Sequence, residues 1–283
     1  MARWVVLAVA AGLLSACFTL TENPRALVLQ PDGAIRALTL DCPPPLAERN
    51  ASTSPELDPQ SIRIATWNIH KEGDAGWEKD LKSLIAGNDI VLLQETTLEP
   101  AMLDTLQDAH LRWIMASSFA YGGVDIGVLT ASHSPPVASC TERALEPLLR
   151  LPKSAIISWF AAVGREKRLA VANIHAINFA LSLDEYRAQF GALAIALATH
   201  DGPIILAGDF NTWSDARNEV VREVAQRLDL SEVKLSEDKR TLFFGKQFDY
   251  ILVRGLEVVT SSAIDVHSSD HNPVTARLVW PAE

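Results

Sequence analysis

The residues of this chain that could do chemistry fall in short phrases. They are Trp67-Asn68-Ile69-His70-Lys71, Gln94-Glu95, Asn173-Ile174-His175-Ala176-Ile177-Asn178, Gly208-Asp209-Phe210-Asn211-Thr212-Trp213, Phe248-Asp249-Tyr250 and Ser269-Asp270-His271-Asn272-Pro273. Most end an apolar run, where a strand stops burying side chains and a loop presents them to a cleft. Singly, each has a plain structural reading: Asn68 as a turn residue, Glu95 as a helix cap, His175 as a satisfied core histidine. Together they supply carboxylates, carboxamides and histidines, the set that holds a hard cation, binds a phosphate and moves a proton.

The elements that must position these phrases are legible from periodicity. Apolar, β-branched runs at 62–69, 89–95, 127–130, 155–163 and 169–175, and later at 203–209, 248–254, 256–259 and 273–279, read as strands. Trp77, Leu81, Leu84 and Ile85 recur at helical spacing, as do Tyr186, Phe190, Leu193 and Leu197, and a further helix is expected over 214–228. Ser182 and Glu185 have the spacing of a capping box, which would start the second of these helices. Strands that arrive both through helices and directly imply mixed sheets in an α/β (α+β) domain.

The order Asn, Gln-Glu, His, Gly-Asp-Phe-Asn, Asp, Ser-Asp-His resembles the endonuclease/exonuclease/phosphatase superfamily, which includes deoxyribonuclease I-like enzymes. The resemblance runs over nearly all of residues 62–279 and is closest to the YafD-like bacterial branch. It implies a four-layer sandwich of two mixed β-sheets flanked by helices, with a cleft at one edge. It also implies a metal-dependent phosphoesterase using Mg2+ or Mn2+, with Glu95 as main ligand and Asn68 beside it, consistent with oxygen donors for a hard cation. By the same resemblance Asp209 would activate the attacking water and Asn211 would fix that aspartate and a phosphate oxygen. His271 would donate to phosphoryl oxygens, kept oriented by Asp249 or Asp270. His175 would be a phosphate ligand or a proton donor, and Asn178 a phosphate contact. Lys71, and Lys153 after Pro152, are each readable as phosphate contacts or as solvated charges. The departure from the nuclease pattern is His70, which puts chemistry at a second metal in doubt.

Composition narrows the partners. With 283 residues, 48% of them hydrophobic, the chain can bury one large core, and its net charge of -10 disfavours tight binding of extended nucleic acid. The expected partner is a phosphate ester, whether nucleic acid, phospholipid or small phosphodiester, and no protein partner is inferred. Of seven tryptophans, Trp4 falls in the leader and Trp67 and Trp159 in core strands, leaving Trp77 and Trp213 as candidates for substrate contact. The groups Arg165-Lys167-Arg168 and Lys239-Arg240 read as solvated faces between strands.

Residues 1–17 have the layout of an export signal, with an apolar run leading to Leu14-Ser15-Ala16-Cys17. They resemble a bacterial lipoprotein signal that ends at a lipidated Cys17, against the alternative of an ordinary cleaved signal or an anchor helix. The expectation is an exported lipoprotein held at the membrane of the cell envelope, with a Pro-rich extension at 18–61 and the catalytic domain at 62–283. Segments 26–30 and 35–40 are apolar enough for short strands within that extension. In an oxidising compartment Cys42 and Cys140 either pair or remain two small buried residues. A second functional reading stays open, in which the fold survives as a tethered binding module without catalysis.

Overall fold

The computed structural model describes residues 18–20, 25–42, 44, 54–180, 182–243 and 245–282. Residues 1–17, which carry the expected export signal and Cys17, lie outside the described residues. In chain order the strands and helices are β1 (Phe18–Thr19), β2 (Arg25–Leu29), β3 (Ile35–Leu38), β4 (Ile62–Asn68), α1 (Trp77–Gly87), β5 (Ile90–Thr97), α2 (Pro100–Asp108), β6 (Arg112–Tyr121) and β7 (Val124–Ser132). The second half holds β8 (Ala138–Leu145), β9 (Pro152–Phe160), β10 (Leu169–His175), α3 (Asp184–Leu197), β11 (Ile204–Asp209), α4 (Asp215–Leu228), β12 (Ser231–Glu232), β13 (Leu242–Phe243), β14 (Lys246–Gln247), β15 (Asp249–Arg254), β16 (Glu257–Ala263) and β17 (Val274–Val279).

Two mixed sheets result. One runs β16-β17-β4-β5-β7-β6-β2-β3 with β1 on β6, the other β12-β15-β11-β10-β9-β8, and among the described strands only β4–β5 and β10–β11 pair in parallel. Alternation along β4 shows why they stack. Ile62 and Ile64 point into the space between the sheets with Leu92, Val171, Ile205 and Ile251, while Ala65 and Trp67 point outward onto α1 and α2 with Leu81, Leu84, Met102 and Leu106. The outer face of the second sheet is covered by Tyr186, Phe190 and Leu193 of α3 and Val220 and Val224 of α4. Each such fully buried side chain contributes roughly 1.5–3 kcal/mol. The layers are helix, sheet, sheet, helix, the sandwich that the family resemblance implies.

The short strands expected at 26–30 and 35–40 form as β2 and β3 and join the first sheet, β2 pairing with β6 along Arg25–Val28 and with β3 on its other side. Other local expectations need correction. The Ser182–Glu185 capping box does not form: Leu183 occupies the cap position, and the Ser182 hydroxyl donates to the Glu185 carboxylate and accepts from the Asp184 amide. The sequence reading also passes over α2, β6 and β8. β8, Ala-Ser-Cys-Thr-Glu-Arg-Ala-Leu, is an edge strand whose partly exposed polar residues hide the apolar signal. Cys42 and Cys140 form a disulfide that fastens the extension to β8.

Candidate active site

The strand ends that carry the sequence phrases meet at one edge of the sandwich. β10 and β11 run in parallel register with His175 opposite Asp209, and β11 pairs with β15 so that Asp209 lies opposite Asp249. This register lines up three ionisable side chains across adjacent strands. From the other sheet come Asn68 at the end of β4 and Glu95 on β5, where the pairing slips between Leu93 and Thr96. Glu95 takes the left-handed conformation, φ 56°, at this bulge. The extra residue lets Gln94 point between the sheets while Glu95 turns its carboxylate into the cleft. Gln94 donates to Asn173 at 2.7 Å and to Thr66 at 3.1 Å, and Asn173 donates to Leu129 O at 2.9 Å, a buried bridge that fixes one sheet against the other directly beneath the site. Gly208, φ 139°, is required there: a Cβ would lie 2.0 Å from Ile174 O.

Asp209 is 2% exposed and fully oriented. Its Oδ1 accepts from the Asn211 amide at 2.9 Å, and its Oδ2 accepts from Asn68 Nδ2 at 3.0 Å and Asn211 Nδ2 at 3.4 Å. Burial raises the carboxyl above the ordinary aspartate range; the charge of His271 opposes this and Asp249 adds to it. Asn211, itself left-handed at φ 50°, also donates to Ala176 O at 2.9 Å, so both its amides are committed to holding the loop and the aspartate together.

His271 sits with Nδ1 2.8 Å from Asp249 Oδ2. Burial works against its charged form, but Asp249 outweighs that loss, with Asp209 and Asp270 adding to it, and the pKa rises to about 10. The ring is an imidazolium at neutral pH, with Nδ1–H on Asp249 and its other N–H left to donate. Of the two carboxylates expected to orient it, Asp249 does so; Asp270 is half-exposed on the cleft wall, 3.9 Å from His70. Behind the pair, Arg240 donates to Asp249 O at 3.1 Å and lies over the Tyr250 ring, with its side chain 6% exposed. Arg240 is therefore not the solvated charge expected from sequence.

For Lys153, readable from sequence either as a phosphate contact or as a solvated charge, the structure shows a mostly covered side chain, 17% exposed, with Nζ 2.8 Å from His175 Nε2 and 4.0 Å from Glu95 Oε1, and Lys71 Nζ pairs with Glu95 Oε2. Burial holds His175 well below the ordinary histidine range, reinforced by Lys153, His271 and Lys71. The ring is therefore neutral, and because an ammonium only donates, Nε2 accepts and Nδ1 carries the proton. The same Nε2 lies 3.6 Å from Glu95 and 3.5 Å from Asp209 Oδ2.

The supports that the sequence did not reveal are Glu146, Gln189 and Arg217. Glu146 accepts from the Asn178 and Phe179 amides at 2.8 Å, which holds the backbone of Asn178 while its side chain lines the cleft. Gln189 bridges Ile177 N and His175 O. Arg217, 1% exposed, donates to the carbonyls of Ile177, Asn178 and Asn211 and lies between the Tyr186 and Trp213 rings. Trp213 borders the cleft as expected; Trp77 does not, packing instead against the core under α1.

The cleft has a volume of about 530 Å³ and is lined on its floor by Asn68, Glu95, His175, Asp209, Asn211 and His271. No group of three or more His, Cys, Asp or Glu side chains among the described residues forms a closed metal cage. What the floor offers is one outward carboxylate, Glu95, with the Asn68 carboxamide beside it. Oxygen donors of this kind suit a hard divalent cation that completes its shell with water and substrate oxygens.

Residues 65–271 match the model of the Endonuclease/Exonuclease/phosphatase family. The chain belongs to that family. Its enzymes are hydrolases acting on phosphoester bonds and usually use divalent metals. A UPF0294 protein of Vibrio campbellii is 37% identical over 214 residues, 75% of this chain and 76% of the relative. A UPF0294 protein of Yersinia pestis is 38% identical over 213 residues, 75% and 82% of the two chains. Among solved structures, the endonuclease/exonuclease/phosphatase from Beutenbergia cavernae superposes with a TM-score of 0.61 at 20% identity, covering 78% of this chain and 72% of that one. The human Nocturnin catalytic domain with bound sulfate gives 0.61 at 19%, covering 80% and 97%. These likenesses to structures concern the fold.

Proposed function

We propose that this protein is a Mg2+- or Mn2+-dependent phosphodiesterase of the bacterial cell envelope. The observation that carries the reading is the convergence of an oriented, desolvated carboxylate (Asp209), a charged histidine (His271 on Asp249) and an outward acid (Glu95) on one cleft floor. Glu95 and Asn68 would hold the cation, which when bound neutralises phosphate charge and polarises the phosphorus centre. Asp209, with a raised proton affinity and both oxygens fixed by Asn68 and Asn211, accepts the proton of an attacking water. His271 donates to a non-bridging oxygen as charge grows there, and its positive charge is maintained by Asp249 rather than by solvent. Lys153 and Lys71 present ammonium groups to the same oxygens, and Asn178 bounds the phosphate on the β10 side. Since Nε2 of His175 is spent as an acceptor for Lys153, His175 positions that ammonium instead of donating from that nitrogen.

The envelope assignment is supported by the leader ending at Cys17 and by the Cys42–Cys140 disulfide, a bond that persists in oxidising compartments. Hydrolysis of bis(p-nitrophenyl) phosphate, p-nitrophenyl phosphate and plasmid DNA by the full chain, with either metal, tests the activity. Turnover of the diester that disappears in Glu95→Ala and Asp209→Asn is expected. A folded wild-type protein that turns over none of these with either metal would favour the binding-module reading. Palmitate labelling lost in Cys17→Ser tests the anchor.

A further inference from the structure

One wall of the cleft has no polar function in the reading above. Leu148, Phe179, Ala180, Trp213, Phe243 and Phe248 line it, directly beside the charged floor. They come from separate loops: between β8 and β9, between β10 and α3, before α4, and around the β13–β14 hairpin. Leu148 and Phe179 are 51% and 52% exposed. Scattered exposed apolar residues are ordinary on a protein surface. Here they line the same cleft as the phosphate-handling floor, so a substrate seated on that floor has them within reach of one of its substituents.

We infer that this wall binds the hydrocarbon part of a phospholipid whose phosphodiester sits on the cleft floor, an inference that rests on the phosphodiesterase reading. The alternative substituent, a nucleobase, needs open aromatic faces to stack on. Part of that surface is taken: Arg217 lies 4.4 Å over one face of the Trp213 ring, and Phe243 and Phe248 stack on each other at 4.9 Å, so the wall offers mainly the exposed Phe179 side chain with the aliphatic Leu148 and Ala180. Nor is there a ready track for a polyanion. Lys71 and Lys153 face Glu95, Lys246 pairs with Asp215, and Arg240 with Asp238 and Glu232, so each of these cations already faces a carboxylate. An apolar wall next to a compact phosphate-handling floor is complementary to a molecule that is anionic at one group and hydrocarbon beyond it.

The test is binding of n-alkylphosphocholines of increasing chain length, kept below their micelle concentrations, to the full chain by calorimetry. In parallel, hydrolysis of glycerophosphocholine, dibutyryl- and dihexanoyl-glycerophosphocholine, a thymidine dinucleotide and bis(p-nitrophenyl) phosphate is measured. The dissociation constant should fall roughly 2–4-fold for each of the first methylenes, the upper figure being full burial of a CH2. Leu148→Ser with Phe179→Ser should flatten that slope, and Phe179→Leu should keep it. Both positions are half-exposed, so the variants fold. A dissociation constant independent of chain length, or a dinucleotide that binds more tightly than the hexyl ligand and loses affinity in Phe179→Ser, overturns the inference. Hydrolysis of bis(p-nitrophenyl) phosphate with a flat chain-length series leaves the diesterase reading standing and removes this one. A steep series with no ester hydrolysed does the reverse.

Discussion

Asp249→Asn isolates the charge that keeps His271 protonated while leaving the side-chain shape nearly unchanged. In the native protein Asp249 is 1% exposed, with Oδ2 2.8 Å from His271 Nδ1. Lifting an imidazolium from 6.5 to about 10 corresponds to roughly 5 kcal/mol of preferential stabilisation of the charged ring, at 1.36 kcal/mol per tenfold change in proton affinity. Asp249 contributes most among the carboxylates that produce this lift, with Asp209 and Asp270 behind it, and breaking a buried pair of this kind typically costs about 3–5 kcal/mol. With the charge removed, the burial penalty on the imidazolium remains, and the His271 pKa should fall into the ordinary histidine range or below it. The assay is an NMR titration of imidazole nitrogens together with kcat/KM against pH. The wild-type alkaline limb should lie near 10 and the variant's near neutrality, with kcat/KM at pH 8 reduced by about 10²–10³ through loss of the donor. Stability carries the same signature. Because the folded-state pKa lies above the unfolded value, the stabilisation is complete below about 6.5 and is lost as pH rises through about 10. The wild-type advantage over Asp249→Asn in urea melts should therefore shrink between those pH values. An unchanged His271 titration and an unchanged pH profile in the variant would refute the reasoning.

The remaining predictions concern the supports of the site. Lys153→Met should lower kcat/KM by about 10–10² and weaken inhibition by inorganic phosphate in parallel, with partial recovery in Lys153→Arg, because the ammonium beside His175 is a charge on the phosphate and not a surface ornament. Arg217→Met should strand the carbonyls of Ile177, Asn178 and Asn211, costing roughly 2–4 kcal/mol in urea unfolding and lowering kcat more than it raises KM. Cys42→Ser or Cys140→Ser should cost roughly 2–4 kcal/mol by releasing a closure that spans 98 positions, and reductant should produce the same loss in the wild type.

How far the site could be seen beforehand differs from residue to residue. Asn68, His175, Asp209 and His271 each close an apolar strand or sit in a dense polar phrase after one, so their type and place in the chain marked them, and the strands that bear them are where periodicity put them. Lys153 was ambiguous because a lysine after a proline at a strand start has no local mark of burial; only β9 pairing between β8 and β10 places it against His175. Glu146 and Arg217 were invisible as functional residues for the same reason. Their work is to satisfy backbone groups contributed by segments far away in the chain, and no spacing rule encodes that.

The sequence by itself determined most of the strand and helix pattern, mixed sheets in an α/β domain and the inventory of groups able to handle a phosphate, because period and residue chemistry are local properties, while the two-sheet sandwich was implied only by resemblance to the family. Tertiary structure alone decided three things. The Asp209–Asp249 register chose Asp249 over Asp270 as the partner of His271. The β5 bulge turned Glu95, and not Gln94, into the cleft. The meeting of separate loops built the apolar wall. Each of these depends on distances between residues remote in sequence, and charge, burial and hydrogen bonding act through distance.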